Sequence, residues 1–299
     1  SLKIAEIIKT QSPEKTVIFG GPHVPDDAEE FLRKNPFVDI AAHKEGERII
    51  CPLLENFNED LKAIPSISYL DEMGNYVQNR LAERIKDLDE IPSPYLEGVF
   101  TPLLEEFPEE RWLVMWETNR GCPFSCTFCD WGSAIQAKVN KFGLERLQQE
   151  IDWIREQKIE FIFCCDANFG ILKRDFEIAK YAAKSKEKYG YPQALSVQNT
   201  KNARDRAYLV QKLLSDYGLN KGVTLSLQSV DEDTLKNVKR DNISLDSYKE
   251  LQHRFTKDKI ETYSDMILGM PGETYDSFVN GISSIIENGQ HNRIQFGNL

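Results

Sequence analysis

The 299 residues carry 37 Lys+Arg against 48 Asp+Glu, a net charge of −11, and 40% of them are hydrophobic. The acidic excess argues against a surface built to neutralise phosphates, and the apolar content argues against wholesale disorder. No apolar run approaches the ~20 residues that span a bilayer, and at ~150 residues per domain the length predicts two domains.

The chain opens at Ser1 with no basic and apolar leader, so no signal peptide is expected. Leu2-Lys3-Ile4-Ala5-Glu6-Ile7-Ile8-Lys9 has helical spacing, and Thr16–Phe19 reads as a strand running into Gly20-Gly21-Pro22-His23. A helix follows, then a second strand over Val38–Ala42, then His43-Lys44-Glu45-Gly46-Glu47 and a helix through Cys51. Alternating strands and helices imply a parallel sheet. Two strands are too few for such a sheet alone, and the last strand, Arg293–Gly297, has no helix after it. The sequence is therefore expected to be a fragment, cut at both ends.

Between 62 and 112 the rhythm breaks. Ser66–Leu70 and Tyr76–Gln78 flank Asp71-Glu72-Met73-Gly74-Asn75, the pattern of a hairpin. Asp87-Leu88-Asp89-Glu90-Ile91-Pro92-Ser93-Pro94-Tyr95 reads as a linker, because Pro prevents both helix and central strand. From 113 the alternation returns, with strands expected near 113–119, 159–165, 194–199, 222–228, 262–268 and 293–297. Helices fill the gaps, as at Leu144–Gln157 with apolar residues at 144, 147, 151 and 154. The fold class is α/β, and six such units imply a partial (β/α) barrel or an open sheet. In both, the chemistry sits at the carboxyl ends of the strands.

Six cysteines stand at 51, 122, 126, 129, 164 and 165, which is not the spread of a secreted disulfide scaffold. Three of them follow the strand at 113–119 in the loop Arg120-Gly121-Cys122-Pro123-Phe124-Ser125-Cys126-Thr127-Phe128-Cys129-Asp130-Trp131-Gly132. Three thiolates on one loop can converge on a soft metal centre. A structural zinc would take a fourth ligand. Cys164 and Cys165 are adjacent on a strand, point to opposite faces, and are expected to pack. Three ligands would leave one iron of a cubane cluster open. Zinc and unrelated buried thiols are the alternatives.

This loop, with an aromatic before its third cysteine and a strand before its first, resembles the radical S-adenosylmethionine superfamily. The resemblance implies that Cys122, Cys126 and Cys129 hold a 4Fe-4S cluster whose open iron binds S-adenosylmethionine and cleaves it to a 5′-deoxyadenosyl radical, with Phe128 beside the adenine. Further along, Asp166-Ala167-Asn168-Phe169 resembles a variant turn of the cobalamin-dependent branch, which offers Asp166 and Asn168 as contacts. A plain helix-capping turn is the competing explanation. Gln198 stands on the third strand. Gln228-Ser229 with Arg240 twelve residues past Gln228 resembles the family's Gln-Ser…Arg pattern, which implies that the arginine pairs with the methionine carboxylate. Asp265, before Gly269-Met270-Pro271-Gly272-Glu273-Thr274, is the implied ribose acceptor.

The first 61 residues resemble the last part of a Rossmann-like cobalamin-binding domain, which implies cobalamin contacts at Gly20, Gly21, Glu45 and Gly46. His23 and His43 are expected to be turn or peripheral residues rather than axial ligands. The implied layout is residues 1–61 from the cobalamin-binding domain, 62–112 hairpin and Pro-rich linker, and 113–299 a partial (β/α)6 radical S-adenosylmethionine barrel. The implied activity is methyl transfer from cobalamin to an unactivated carbon of a small-molecule or peptide substrate after hydrogen abstraction. An external electron donor such as flavodoxin or ferredoxin, a cytoplasmic setting, and no nucleic-acid or membrane partner go with it. Ring contraction or cyclisation, a radical enzyme without cobalamin, and a non-catalytic iron–sulfur or zinc-binding interaction protein are the alternatives.

Overall fold

The computed structural model describes residues 1–56, 60–129, 138–200, 204–220 and 222–299. Asp130, Trp131 and Gly132, at the end of the cysteine loop, lie outside the described residues. The chain divides into two units, Ser1–Lys86 and Asp87–Leu299.

In the first unit, α1 (Leu2–Gln11), β1 (Ile18–Phe19), α2 (Glu29–Lys34), β2 (Ile40–Ala42) and α3 (Ile50–Glu55) precede the hairpin β3 (Ile67–Leu70) and β4 (Tyr76–Gln78). The sheet order is β1-β2-β3-β4. β1 and β2 are parallel, Ile18 opposite Ile40, and the hairpin adds to β2 antiparallel, Ile40 opposite Tyr69. Successive β2 side chains take opposite faces: Ala41 packs with Ala5, Leu32 and Val38, while Ile40 packs with Leu53, Ile67 and Tyr69. β1 is shorter than the expected Thr16–Phe19. Asp39 replaces the first ladder rung, its carboxylate accepting the Val17 N–H at 2.7 Å. His43 was expected in a turn or at the periphery but is buried. Its N–H donates to the Ser66 carbonyl, which carries β2's antiparallel pairing one residue further, and its ring Nε2 meets Ser68 Oγ at 2.8 Å. Burial holds the imidazole below its ordinary pKa.

The second unit contains α4 (Thr101–Glu106), β5 (Leu113–Trp116), β6 (Asn119–Arg120), β7 (Asn140–Lys141), α5 (Leu144–Glu156), β8 (Phe161–Cys164), α6 (Asp175–Tyr189) and β9 (Ala194–Ser196). It continues with α7 (Arg204–Asp216), β10 (Val223–Thr224), α8 (Glu232–Asn237), α9 (Leu245–Lys257), β11 (Thr262–Leu268), α10 (Tyr275–Glu287) and β12 (Arg293–Asn298). β5-β8-β9 and β10-β11-β12 form two three-stranded parallel sheets in chain order, the six strands of a partial barrel. The small antiparallel pair β6–β7 was not foreseen.

The Pro-punctuated stretch stays out of the sheet, yet it is fastened to α5 by side chains. Asp89 accepts the Gly143 N–H at 2.8 Å, and Ser93 Oγ donates to Glu150 at 2.6 Å. Glu150 is buried because it also receives Trp116 Nε1 at 2.7 Å and Arg146 Nε at 3.0 Å; a buried carboxylate is tolerable when its lone pairs are met this way.

β10 is two residues long where a strand over 222–228 was expected. The alternation is nonetheless kept. Val223, Leu225 and Leu227 enter the core with Tyr248, Phe255 and Met266, and the polar residues between them face the other way. Beyond Leu225 the ladder is interrupted, and it resumes when Gln228 donates to Asp265 at 2.9 Å. The carbonyls of Ser226 and Leu227 are taken instead by Arg240, at 3.0 and 3.1 Å. Among the described residues no helix is long and apolar enough to cross a membrane.

Candidate active site

At the carboxyl ends of the barrel strands lies a cavity of about 250 Å³. Cys122, Cys126 and Cys129 line it together with Phe124 and Phe128. The loop is fixed by its backbone: Thr127 donates to the Val238 carbonyl at 3.0 Å, and Cys129 to the Cys126 carbonyl at 3.2 Å. Two side-chain donors reach its sulfurs. Asn168 Nδ2 stands 3.2 Å from Cys122 Sγ, and Arg240 Nη1 stands 3.7 Å from Cys126 Sγ. The Arg240 guanidinium also lies 5.9 Å from the centre of the Phe128 ring. Burial lowers its pKa, opposed by the neighbouring Cys126, Cys129 and Cys122.

Of the other expected contacts, Gln198, Gln228 and Asp265 line the same cavity. Gln228 has a left-handed backbone, φ 68°, and its Oε1 is buried with no partner. An unmet buried acceptor is costly and marks a place where a ligand donor would be accommodated. Asp265 receives the Ser226 hydroxyl.

Asp166 and Ser229 are directed elsewhere. Asp166 is 1% exposed, and its carboxylate accepts the Thr118 and Asn119 N–H groups at 2.7 and 3.1 Å, Asn119 Nδ2 at 2.7 Å and the Thr118 hydroxyl. Burial raises its pKa to about 6 despite those bonds. It clamps the second strand's end to the start of the cysteine loop and does not line the cavity. Ser229 Oγ donates to Glu273 at 3.1 Å.

Sequence reading missed Asn199, Thr224 and Ser226, which also line the cavity. Thr224 and Ser226 were detectable as the polar half of the Val-Thr-Leu-Ser-Leu-Gln alternation that ends at Gln228. Asn199 Nδ2 is a buried donor without a partner. Cys164 is fully buried and its thiol is pushed well above its ordinary pKa by burial, as suits a packing residue.

In the first unit, Gly20 and Gly21 follow β1, and Glu45 and Gly46 follow β2. Because the two strands are parallel, both turns sit at the carboxyl end of the pair, joined by the ion pair of Lys44 with Asp26 at 2.7 Å. Gly21 has φ 93°, and a Cβ at Gly21 or at Gly46 would meet open space. The Glu45 carboxylate accepts the Ile85 N–H at 2.7 Å.

The donor set fits an iron–sulfur cluster. Soft thiolates line an aromatic-walled cavity, and N–H donors are aimed at two of them. Among the described residues no three His, Cys, Asp or Glu side chains are placed to hold a single metal ion. A cubane takes each thiolate on a different iron, so its ligands need no common ion.

Six parallel strands in chain order, with a three-cysteine loop after the first, define a radical S-adenosylmethionine domain. Residues 116–283 match the radical SAM superfamily, and the chain belongs to it. It is 43% identical over 295 residues to the cobalamin-dependent radical SAM methyltransferase TokK of Streptomyces tokunonensis, covering 97% of this chain and 43% of that protein. It is 42% identical over 299 residues to the 2-(S-pantetheinyl)-carbapenam-3-carboxylate methyltransferase of Streptantibioticus cattleyicolor, covering 98% and 44%. The chain thus spans less than half the length of these curated relatives. Among solved structures, the radical S-adenosylmethionine methyltransferase TsrM of Kitasatospora setae shares the fold, with a TM-score of 0.74 at 17% identity over 99% of this chain and 57% of that one.

Proposed function

We propose that this chain is the cofactor-binding part of a cobalamin-dependent radical S-adenosylmethionine methyltransferase acting on an unactivated carbon of a small molecule. The observation that carries the reading is one cavity in which three cysteines meet Arg240, Gln228 and Asp265. The names of the two relatives above 40% identity support methyl transfer, one naming cobalamin and the other a small carbapenam carboxylate. In this reading residues 1–61 belong to the cobalamin-binding domain, 62–112 are hairpin and linker, and 113–299 form the radical barrel.

Bound there, the cluster and S-adenosylmethionine would supply the 5′-deoxyadenosyl radical and the cobalamin would supply the methyl group. Cys122, Cys126 and Cys129 hold the cluster. Arg240, a planar two-pronged donor, takes the methionine carboxylate. Gln228 and Asp265 accept hydrogen bonds from the rest of the ligand, and Phe124 and Phe128 exclude water. Asn168 and Gln198 complete the wall. Gly20, Gly21, Glu45 and Gly46 offer backbone groups to the cobalamin from the carboxyl ends of β1 and β2. A one-electron donor such as flavodoxin or ferredoxin, in the cytoplasm, completes the system.

The test is anaerobic reconstitution, followed by iron counting and assay for 5′-deoxyadenosine and for methyl transfer from labelled S-adenosylmethionine with added cobalamin. About four irons per chain, with deoxyadenosine lost in Cys126→Ala, are expected. Deoxyadenosine without methyl transfer would favour ring contraction or cyclisation. A loaded cluster with no deoxyadenosine would overturn the radical reading.

A further inference from the structure

We propose that Asn168 sets the reduction potential of the cluster by donating a hydrogen bond to the Cys122 sulfur. This role rests on the proposed function and adds to it. Asn168 Nδ2 stands 3.2 Å from Cys122 Sγ, within hydrogen-bond reach of a thiolate. The two residues are 46 apart in sequence, yet the fold holds them in register from both sides.

On one side is the Asp166 clamp. Its carboxylate binds the backbone N–H groups of Thr118 and Asn119, so the turn carrying Asn168 is tied to the strand that delivers Cys122 three residues later. On the other side is Phe169, fully buried, which donates to the Gln198 carbonyl at 2.8 Å and accepts from Thr200 at 2.9 Å. The Asn168 amide is thus carried between two anchored neighbours, which fixes its distance to the sulfur.

The electrostatic consequence has a definite sign. Reduction adds one electron to the cluster, supplied by dithionite in the experiment below, and its sulfurs become more negative. A donor to a ligand sulfur binds the reduced form more strongly than the oxidised form, so it raises the potential. Arg240, 3.7 Å from Cys126 Sγ, acts in the same direction on a second sulfur. Arg240 also serves the ligand in the proposed function, whereas the distance from Asn168 to Cys122 assigns this amide to the metal side of the cavity.

The experiment is a redox titration of the reconstituted protein with dithionite and mediators, followed by electron paramagnetic resonance, without S-adenosylmethionine. Asn168→Leu keeps the size and removes the donor; Asn168→Ala removes it at smaller volume, and iron and sulfide contents check loading. The expected result in either variant is wild-type iron content with a more negative midpoint. The shift should be about tenfold or more in the reduction equilibrium, ~59 mV for one electron. A cluster-loaded variant with the wild-type midpoint overturns the inference, and a raised KM for S-adenosylmethionine in that variant would mark Asn168 as a ligand contact instead. A wild-type chain that takes up no four-iron cluster removes the proposed function, and this role with it.

Discussion

Asn242 accepts the Nε–H of Arg240 on its side-chain oxygen at 2.9 Å, and its amide donates at 2.8 Å to the carbonyls of both Leu227 and Ser229. The guanidinium is therefore aimed by a neighbour two residues away, which is itself locked to the strand end carrying Gln228. Arg240 also donates through Nη2 to the Ser226 carbonyl and through Nη1 to the Cys126 sulfur, and each of these nitrogens carries a second N–H that can turn to a ligand. A side chain held this way arrives in the binding geometry with little rotamer freedom left to lose.

Asn242→Ala is accordingly expected to raise the KM for S-adenosylmethionine more than it lowers kcat. A hydrogen bond to a charged group contributes ~1.5–3 kcal/mol, which corresponds to a loss of about tenfold or more. Deoxyadenosine formation measured across S-adenosylmethionine concentrations checks this. Equal KM values in the variant and the wild type would show that Asn242 does not orient the arginine.

The three loop cysteines should be separable from the others by iron retention. Replacing Cys122, Cys126 or Cys129 with Ala should each remove most of the bound iron and sulfide, because a cubane missing another protein ligand is labile. Cys51→Ser, at an exposed position, and Cys165→Ser, partly exposed, should keep the wild-type content. Iron and sulfide assays after identical reconstitution decide it. Loss of iron in Cys165→Ser with retention in Cys129→Ala would reassign the ligand set.

Much of this was legible locally. The cysteine spacing needs only one loop to act, and β11 falls at Thr262–Leu268, the range expected for it. What escaped was decided by partners distant in sequence. β10 is cut short because Arg240 and Asn242 claim the carbonyls of Ser226 and Leu227, which no window around 222–228 contains. Asp166 is offered as a ligand contact by the resemblance of Asp166-Ala167-Asn168-Phe169 to a family turn. Its true partners, Thr118 and Asn119, lie 48 and 47 residues earlier, and burial among them turned it from the cavity. The same holds in the first unit, where Glu45 meets the Ile85 N–H 40 residues on.

Gly272 should resist substitution. It follows β11 in the Pro-Gly turn with φ 86°, and a Cβ there would lie 2.4 Å from Asn237 Nδ2. A left-handed backbone costs a non-glycine residue roughly 1–2 kcal/mol, and the Asn237 amide would also have to leave the Pro271 carbonyl it meets at 3.1 Å. Gly272→Ala is therefore expected to lower stability by about 2 kcal/mol in urea unfolding. Gly46→Ala is the control: it adds a Cβ in open space, and its effect should stay within about 0.5 kcal/mol. Equal losses in the two variants would refute the steric account.

Asp166 gives the fold a pH dependence opposite to that of a carboxylate whose pKa the fold lowers, such as Asp26 beside Lys44. Its folded pKa is raised to about 6, above the ordinary 3.8, with burial as the largest cause. Between those values the folded chain holds a proton that the unfolded chain has released, so this residue's contribution falls as pH rises through that window and is constant above it. Asp166→Asn should abolish that slope. It should also lower stability at pH 7, because an amide cannot accept from all of Thr118 N, Thr118 Oγ1, Asn119 N and Asn119 Nδ2 as the carboxylate does. The amide nitrogen replaces an oxygen that accepts two of these bonds, and each buried donor left unmet costs roughly 1–3 kcal/mol, against about 3 kcal/mol of relief for the buried charge. Urea unfolding at intervals from pH 4 to pH 7, wild type against variant, reads both effects. A variant as stable as wild type at pH 7 would mean that the carboxylate is not what ties the second strand to the cysteine loop.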